Sequence, residues 1–144
     1  MKFRKARIED APLLAQLNHQ LIQDEGHSNA LTVHELTERM RKWLATVYIG
    51  MIFEDEEGLI AYALYQDEPG QIYLRQFFVV RDRRRMGLGR QAMGILISQI
   101  WPKDRRLTVS ALFHNQRAIA FWKAVGYSEY SLTLEILPKV KLQG

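Results

Sequence analysis

Hydrophobic positions along this 144-residue chain change their period from one stretch to the next. Leu13, Leu14, Leu17, Leu21 and Ile22 recur at three- and four-residue spacing. That predicts a helix ending near Gln23, with Asp10 placed to cap it. Thr32, followed three residues on by Glu35, has the form of a capping box and predicts a second helix over residues 32–44. The period then falls to two. VYIGMIF and LIAYALYQ flank the turn EDEEG, and IYLRQFFVV follows the turn DEPG, which predicts three strands. Residues 88–101 return to an apolar helical pattern that stops at Pro102. LTVSALF reads as a strand, Asn115 opens a short helix closed by Gly126, and YSEYSLTLEIL reads as a last strand. With residues 1–6 as a first strand, the order is βααβββαβαβ. That is an α/β fold, a mixed sheet with helices on both faces.

No repeat, low-complexity tract or linker interrupts this pattern, so residues 1–144 read as one domain, long enough to bury a core. No apolar run approaches the roughly 20 residues a membrane helix needs, and MKFRKARIED lacks a signal-peptide core. The expectation is a cytoplasmic protein with no membrane contact. The chain has no cysteine, which excludes disulfides, thiolate metal sites and a cysteine nucleophile. Its four histidines show no metal-ligand spacing, and no metal is expected.

Charge changes the picture at one place. Residues 81–90 hold five arginines and one aspartate, so this stretch alone carries the chain's net charge of +4. An anionic partner should bind here first. Within it, RRRMGLGR follows a strand and opens a helix. Amides at such a turn converge on an anion, the helix N-terminus adds unpaired donors, and Gly87 and Gly89 let a phosphate approach the backbone. Arg84, Arg85 and Arg90 can add charge-assisted bonds. The dinucleotide pattern GxGxxG and the Walker pattern are both absent. Taken alone, the loop fits a phosphate cradle and a structural turn equally.

Two separated motifs decide between them. Arg84-Arg85-Met86-Gly87-Leu88-Gly89 resembles the Q/R-x-x-G-x-G/A pyrophosphate loop of the GNAT N-acetyltransferases, after a fourth strand and before a long helix. Residues 115–127, NQRAIAFWKAVGY, resemble the same family's N-x-x-A-I-x-F-Y-x-K-x-G-F element, and RKARIEDAPLLAQL resembles its opening strand and helix. The resemblance implies a GNAT fold with a mixed, mostly antiparallel sheet of about six or seven strands. It implies acetyl-CoA as acetyl donor, with its pyrophosphate on the amides of residues 84–90. The pantetheine arm would pair with the fourth strand near Phe78, Val79 and Val80, where a bulge opens a slot. The Val79 N–H would polarise the thioester carbonyl. Asn115 would contact the pantetheine or cap its helix, and Trp122 would line the same site. The implied reaction is direct attack by an acceptor amine.

Here the chain departs from its relatives. The fourth-strand segment Leu74-Arg75-Gln76-Phe77 lacks the glutamate base many members have, and Trp122 stands where many have a tyrosine acid. Glu25 is a candidate base and Tyr127 a candidate donor, each weighed against solvated loop and core packing. His27, Arg75 and Gln76 are candidate acceptor contacts. Arg75 suits a carboxylate or phosphate on the acceptor, or else an internal ion pair with Asp67, Glu68 or another acid. A CoA-binding module without turnover stays open. Nucleic-acid binding is disfavoured, because the charge is confined to one turn without interleaved aromatics. The resemblance also allows a homodimer, with LTLEILPKVKL as a candidate sheet edge.

Overall fold

The computed structural model of the chain describes residues 1–26 and 30–139. Five strands among them form one sheet in chain order: β1 (Lys2–Lys5), β2 (Tyr48–Asp55), β3 (Gly58–Glu68), β4 (Gln71–Val79) and β5 (Arg106–Val109). The first four pair antiparallel, and β5 runs parallel to β4. Helices α1 (Ala11–Glu25) and α2 (Val33–Ala45) cover one face. Helix α3 (Leu88–Ile95) and helix α4 (Gln116–Val125) lie on the other. The mixed, mostly antiparallel sheet with helices on both faces is the expected architecture.

Period-two alternation sorts the core. Ile52, Tyr62 and Leu64 pack with Leu14, Leu17 and Met40 beneath α1 and α2. Met51, Phe53, Ala61 and Ala63 pack with Ala92, Met93 and Leu96 beneath α3. The capping box forms as read: Thr32 Oγ1 accepts from Glu35 N–H, and a Glu35 carboxylate oxygen accepts from Thr32 N–H, both at 3.1 Å.

Three local expectations are corrected. Asp10 does not cap α1 through its side chain; its carboxylate accepts from Arg7 N–H at 2.8 Å and pairs with Arg4, closing a 3-10 turn (Ile8–Asp10) ahead of the helix. The helix predicted to reach residue 101 is α-helical only to Ile95, then widens into a π-helical turn (Leu96–Ile100) closed by Trp101 N–H on the Leu96 carbonyl at 2.7 Å. The strand predicted from YSEYSLTLEIL does not pair among the described residues, whose sheet has five strands rather than six or seven. Its alternation is genuine, but a strand needs a neighbour, and this segment meets none among the described residues.

Candidate functional site

The site begins with a register fault. Leu64 of β3 pairs with Gln76 and Tyr65 with Leu74, which leaves Arg75 as an extra, unpaired residue: a β-bulge. Before it, Ile72 and Leu74 face α3; after it, Phe78 faces α1 and α2. Gln76 lies on the same face as Phe78, and its Oε1 accepts from the hydroxyl of Tyr62 at 2.8 Å. Burial pushes the Tyr62 phenol far above its ordinary range, so it holds its proton and fixes Gln76.

The same fault opens a gap. β5 pairs with β4 only from Gln71 to Leu74, and beyond Leu74 the edge of β4 has no strand partner among the described residues. Val80 N–H donates to the Ile60 carbonyl at 2.9 Å. Antiparallel hydrogen bonds alternate, so the amides of Val80 and Phe78 point to β3, while those of Phe77 and Val79 point into the gap. Of Phe78, Val79 and Val80, the three residues named from the sequence, only Val79 presents its amide there.

At the end of β4 the chain turns through a 3-10 segment (Arg81–Arg83) into α3. Arg85 is the only non-glycine residue with positive φ among those described, at 66°, and Gly87 follows at 73°. Gly87 therefore sits where a side chain is strained. Gly89 is required by proximity: a Cβ there would lie 3.2 Å from Val79 Cγ2 and 3.4 Å from Phe121 Cε2. Val79, Arg84, Arg85, Gly89, Arg90 and Phe121 help line a cleft of about 240 Å³ at this point. The first amides of α3 have no intrahelical partner, and they head this cleft.

The arginines divide into two sets. Arg83 is nearly buried and pairs with Asp55, tying the loop to the β2–β3 hairpin and holding that carboxyl below its usual range. Arg84 donates through Nε to the Val79 carbonyl at 2.9 Å, reaches Asp24 Oδ2 at 2.8 Å, and lies over the Phe78 ring at 4.9 Å. Arg81 takes the other Asp24 oxygen at 3.0 Å. Burial opposes the charge on Asp24, but the bonds from Arg84 and Arg81 outweigh it and hold the carboxyl below its ordinary value. Arg85 makes no hydrogen bond or ion pair among the described residues, and Arg90 only touches the Ala124 carbonyl at 3.5 Å. Those two guanidinium groups are available to an anion. Met86 is exposed, and Leu88 packs into the core below.

α4 closes the other wall. Asn115 Oδ1 accepts from Ala118 N–H at 3.1 Å, so Asn115 caps this helix. Phe121 stacks on Phe77 with ring centroids 6.0 Å apart, and Trp122 meets Phe77, Phe121 and Tyr127 edge-on. The Tyr127 hydroxyl is buried without a partner among the described residues, and burial pushes its pKa up to about 12.

On the α1–α2 side, Arg75 lies over the Trp43 ring at 4.6 Å and donates to the Tyr48 hydroxyl at 3.2 Å. Arg39 lies over the same ring at 4.3 Å and donates to buried Asn18 at 3.0 Å. Burial, and then the charge of Arg75, disfavour the positive charge on Arg39. No acid answers either arginine among the described residues. Asp67 pairs with Arg105, and Glu68 accepts from Gln71, so the alternative of an internal ion pair for Arg75 does not form among the described residues. Arg39 was not singled out from the sequence, although its i, i+4 spacing to Trp43 was a usable signal. Glu25 ends α1 close enough to Tyr62 for its charge to help raise that phenol. His27 lies outside the described residues.

Residues 15–127 match the family model described as Acetyltransferase (GNAT) family, and the chain belongs to that family. Similar solved structures include a tetramutant of the BH1408 protein from Bacillus halodurans, with TM-score 0.75 and 21% identity over 96% of this chain and 100% of that one. A predicted acetyltransferase from Clostridium acetobutylicum, solved with acetyl-CoA, has TM-score 0.71 and 20% identity over 94% and 95%. Apo aminoglycoside 6'-N-acetyltransferase AAC(6')-IG from Acinetobacter haemolyticus has TM-score 0.73 and 14% identity over 98% and 100%. At these identities the likeness is one of fold. A comparison with curated proteins gave no match.

Proposed function

We propose that this chain transfers the acetyl group of acetyl-CoA directly to the nitrogen of a small amine that also carries a carboxylate or phosphate. One observation carries the reading: β4 parts from β5 after Leu74, and its freed edge, with the Val79 N–H turned into the gap, leads to the glycine-rich start of α3. The residues present fit CoA. The amides that open α3, with Arg85 and Arg90, take the pyrophosphate. Arg84, already held by Asp24 and the Val79 carbonyl, positions the loop. The freed edge at Phe77 and Val79 pairs with the pantetheine arm as an added strand would. Phe121 and Trp122 wall it, and Asn115 fixes the helix that bears them. Bound acetyl-CoA supplies an activated acyl carbon.

Val79 N–H donates to the carbonyl oxygen as negative charge develops there. An alkyl amine with pKa near 10.4 costs roughly 5 kcal/mol to deprotonate at pH 7, so a base is needed. Glu25, at the end of α1 and near the Tyr62–Gln76 pair, accepts the amine proton. Tyr127, which keeps its proton throughout the neutral range, donates toward the departing sulfur.

Arg39 and Arg75 read the acceptor. Two guanidinium groups over one indole, with no acid between them among the described residues, favour an incoming anion. The same pair repels polycations, which sets this site apart from one built for aminoglycosides. The test is amine-dependent CoA release across paired acceptors with and without a carboxylate. Turnover of the anionic member at least about tenfold faster in kcat/KM supports the reading; each tenfold is about 1.4 kcal/mol. Equal turnover of both, or preference for the neutral amine, overturns the acceptor assignment. CoA binding without release by any amine overturns catalysis and leaves a binding module.

A further inference from the structure

Two elements of the fold measure the distance between the amine and the acid of the acceptor. The first is β4. In the acetyl-transfer reading the amine attacks at the Val79 end of this strand, where the Val79 N–H turns into the gap. The acid is read at Arg75, four residues earlier. At about 3.3 Å per residue, these two points stand about 13 Å apart along the strand. The Arg75 side chain does not shorten the gap. It leans over Trp43 and onto the Tyr48 hydroxyl. Tyr48 pairs with Gln66 of β3, and Gln66 with Tyr73 of β4, so Tyr48 is level with Tyr73 rather than with Val79.

The second element is α1, which covers the same face. Its C-terminal end belongs to the Val79 end of β4: Asp24 holds Arg84, which bonds the Val79 carbonyl. Glu25 is next in the chain, and its charge acts on Tyr62, which pairs with Phe78. Earlier in the helix, Asn18 holds Arg39 at 3.0 Å. Seven residues separate Asn18 from Glu25, about 10 Å at 1.5 Å per residue. Strand and helix agree: the arginine pair stands about 10–13 Å from the point of amine attack.

Contacts of about 3 Å at each end take up part of that distance. About 4–7 Å is left for the acceptor itself. An extended chain gains about 1.2 Å per bond, since three backbone bonds span about 3.3–3.6 Å. We propose, resting on the acetyl-transfer reading above, that the acceptor carries its amine and its acid about four to six bonds apart, at opposite ends of an uncharged chain. α-Amino acids and their phosphonate analogues, with two bonds between nitrogen and the acidic group, are too short. Between Arg75 and Val79 the strand carries Gln76, Phe77 and Phe78, none of them charged, and Gln76 is held by Tyr62. The linking chain therefore meets no charge from β4.

The test is a series of ω-amino carboxylates with one to seven methylenes, each beside the alkyl amine of the same length without the acid, followed by CoA release. Members with three to five methylenes should exceed glycine at least about tenfold in kcat/KM. Their advantage over the matched alkyl amine should vanish in Arg75→Ala. Aminoalkyl phosphonates repeat the series for the other head group, and their optimum should fall at the same length. An optimum at the shortest acid, or equal turnover at every length with the preference for anions retained, overturns the spacing and leaves acetyl transfer standing. A long-chain advantage that Arg75→Ala leaves intact also overturns it, because length is then read by apolar contact. No release with any amine, in a chain that binds acetyl-CoA, overturns the acetyl-transfer reading and the spacing with it.

Discussion

Arg84 of the loop after β4 reaches Asp24 at the end of α1 across 2.8 Å. Arg81 takes the second oxygen of the same carboxylate, so one acid from the first helix steadies the turn on which the CoA reading rests. Both sides of the pair are partly exposed, which limits its worth to about 1 kcal/mol or less. Asp24→Asn should therefore weaken acetyl-CoA binding by no more than about fivefold, measured by calorimetry. The contribution has a pH sign. The carboxyl is held below its ordinary value of 3.8, so it contributes fully at neutral pH and is lost as pH falls through the lowered folded value. The wild-type chain should lose stability relative to Asp24→Asn only below about pH 4, as followed by denaturant midpoints across pH.

Gly89 tests the packing of the cleft floor. An added methyl would meet Val79 and Phe121 at 3.2 and 3.4 Å, closer than ordinary contact. Both neighbours belong to the gap itself, so giving way moves its walls. Gly89→Ala should lower stability by about 1–2 kcal/mol and raise the Kd for acetyl-CoA, with thermal unfolding and calorimetry as the two readouts. A variant as stable and as tight as wild type would mean that α3 does not rest on β4 as described.

Arg39 and Arg75 separate acceptor from donor. Neither touches the loop before α3. Arg75→Ala or Arg39→Ala should raise the KM for an anionic acceptor at least about tenfold, as expected for a lost charged hydrogen bond of about 1.5–3 kcal/mol. The KM for acetyl-CoA should stay unchanged. Steady-state kinetics with each substrate varied in turn checks both halves.

Tyr127→Phe removes a buried hydroxyl that has no partner among the described residues. Deleting an unsatisfied polar atom should leave stability unchanged or raise it by up to about 1 kcal/mol. The proposed donor role predicts a fall in kcat of at least about a hundredfold, with no change in acetyl-CoA binding. Full activity in a stable variant would return Tyr127 to core packing alone.

Much of this architecture was legible in the sequence because local periods and tertiary burial agree. The alternation in LIAYALYQ and the capping box at Thr32 and Glu35 each survive intact, and the glycine loop sits where its motif places it. What the sequence hid was pairing. The resemblance implied a bulge near Phe78, Val79 and Val80, and the register shift comes earlier, at Arg75, where the polar doublet Arg75-Gln76 breaks the alternation; the extra residue there sets which face Gln76 and Phe78 occupy. The segment after Tyr127 looks like a strand and lacks a neighbour among the described residues, a matter of tertiary pairing rather than of its own pattern. Arg39 escaped notice because it lies on a helix face and becomes suggestive only when Arg75 arrives over the same ring.

The most direct test of the central claim is a calorimetric titration of acetyl-CoA into the purified chain, beside Gly87→Glu. Gly87 has φ at 73° at the mouth of the helix, where glutamate adds strain and repels phosphate. The account predicts micromolar binding to the wild-type chain and loss of at least about a hundredfold in the folded variant, about 2.7 kcal/mol. Absence of binding to the folded wild-type chain, or equal binding by both, would contradict the assignment of this loop to CoA.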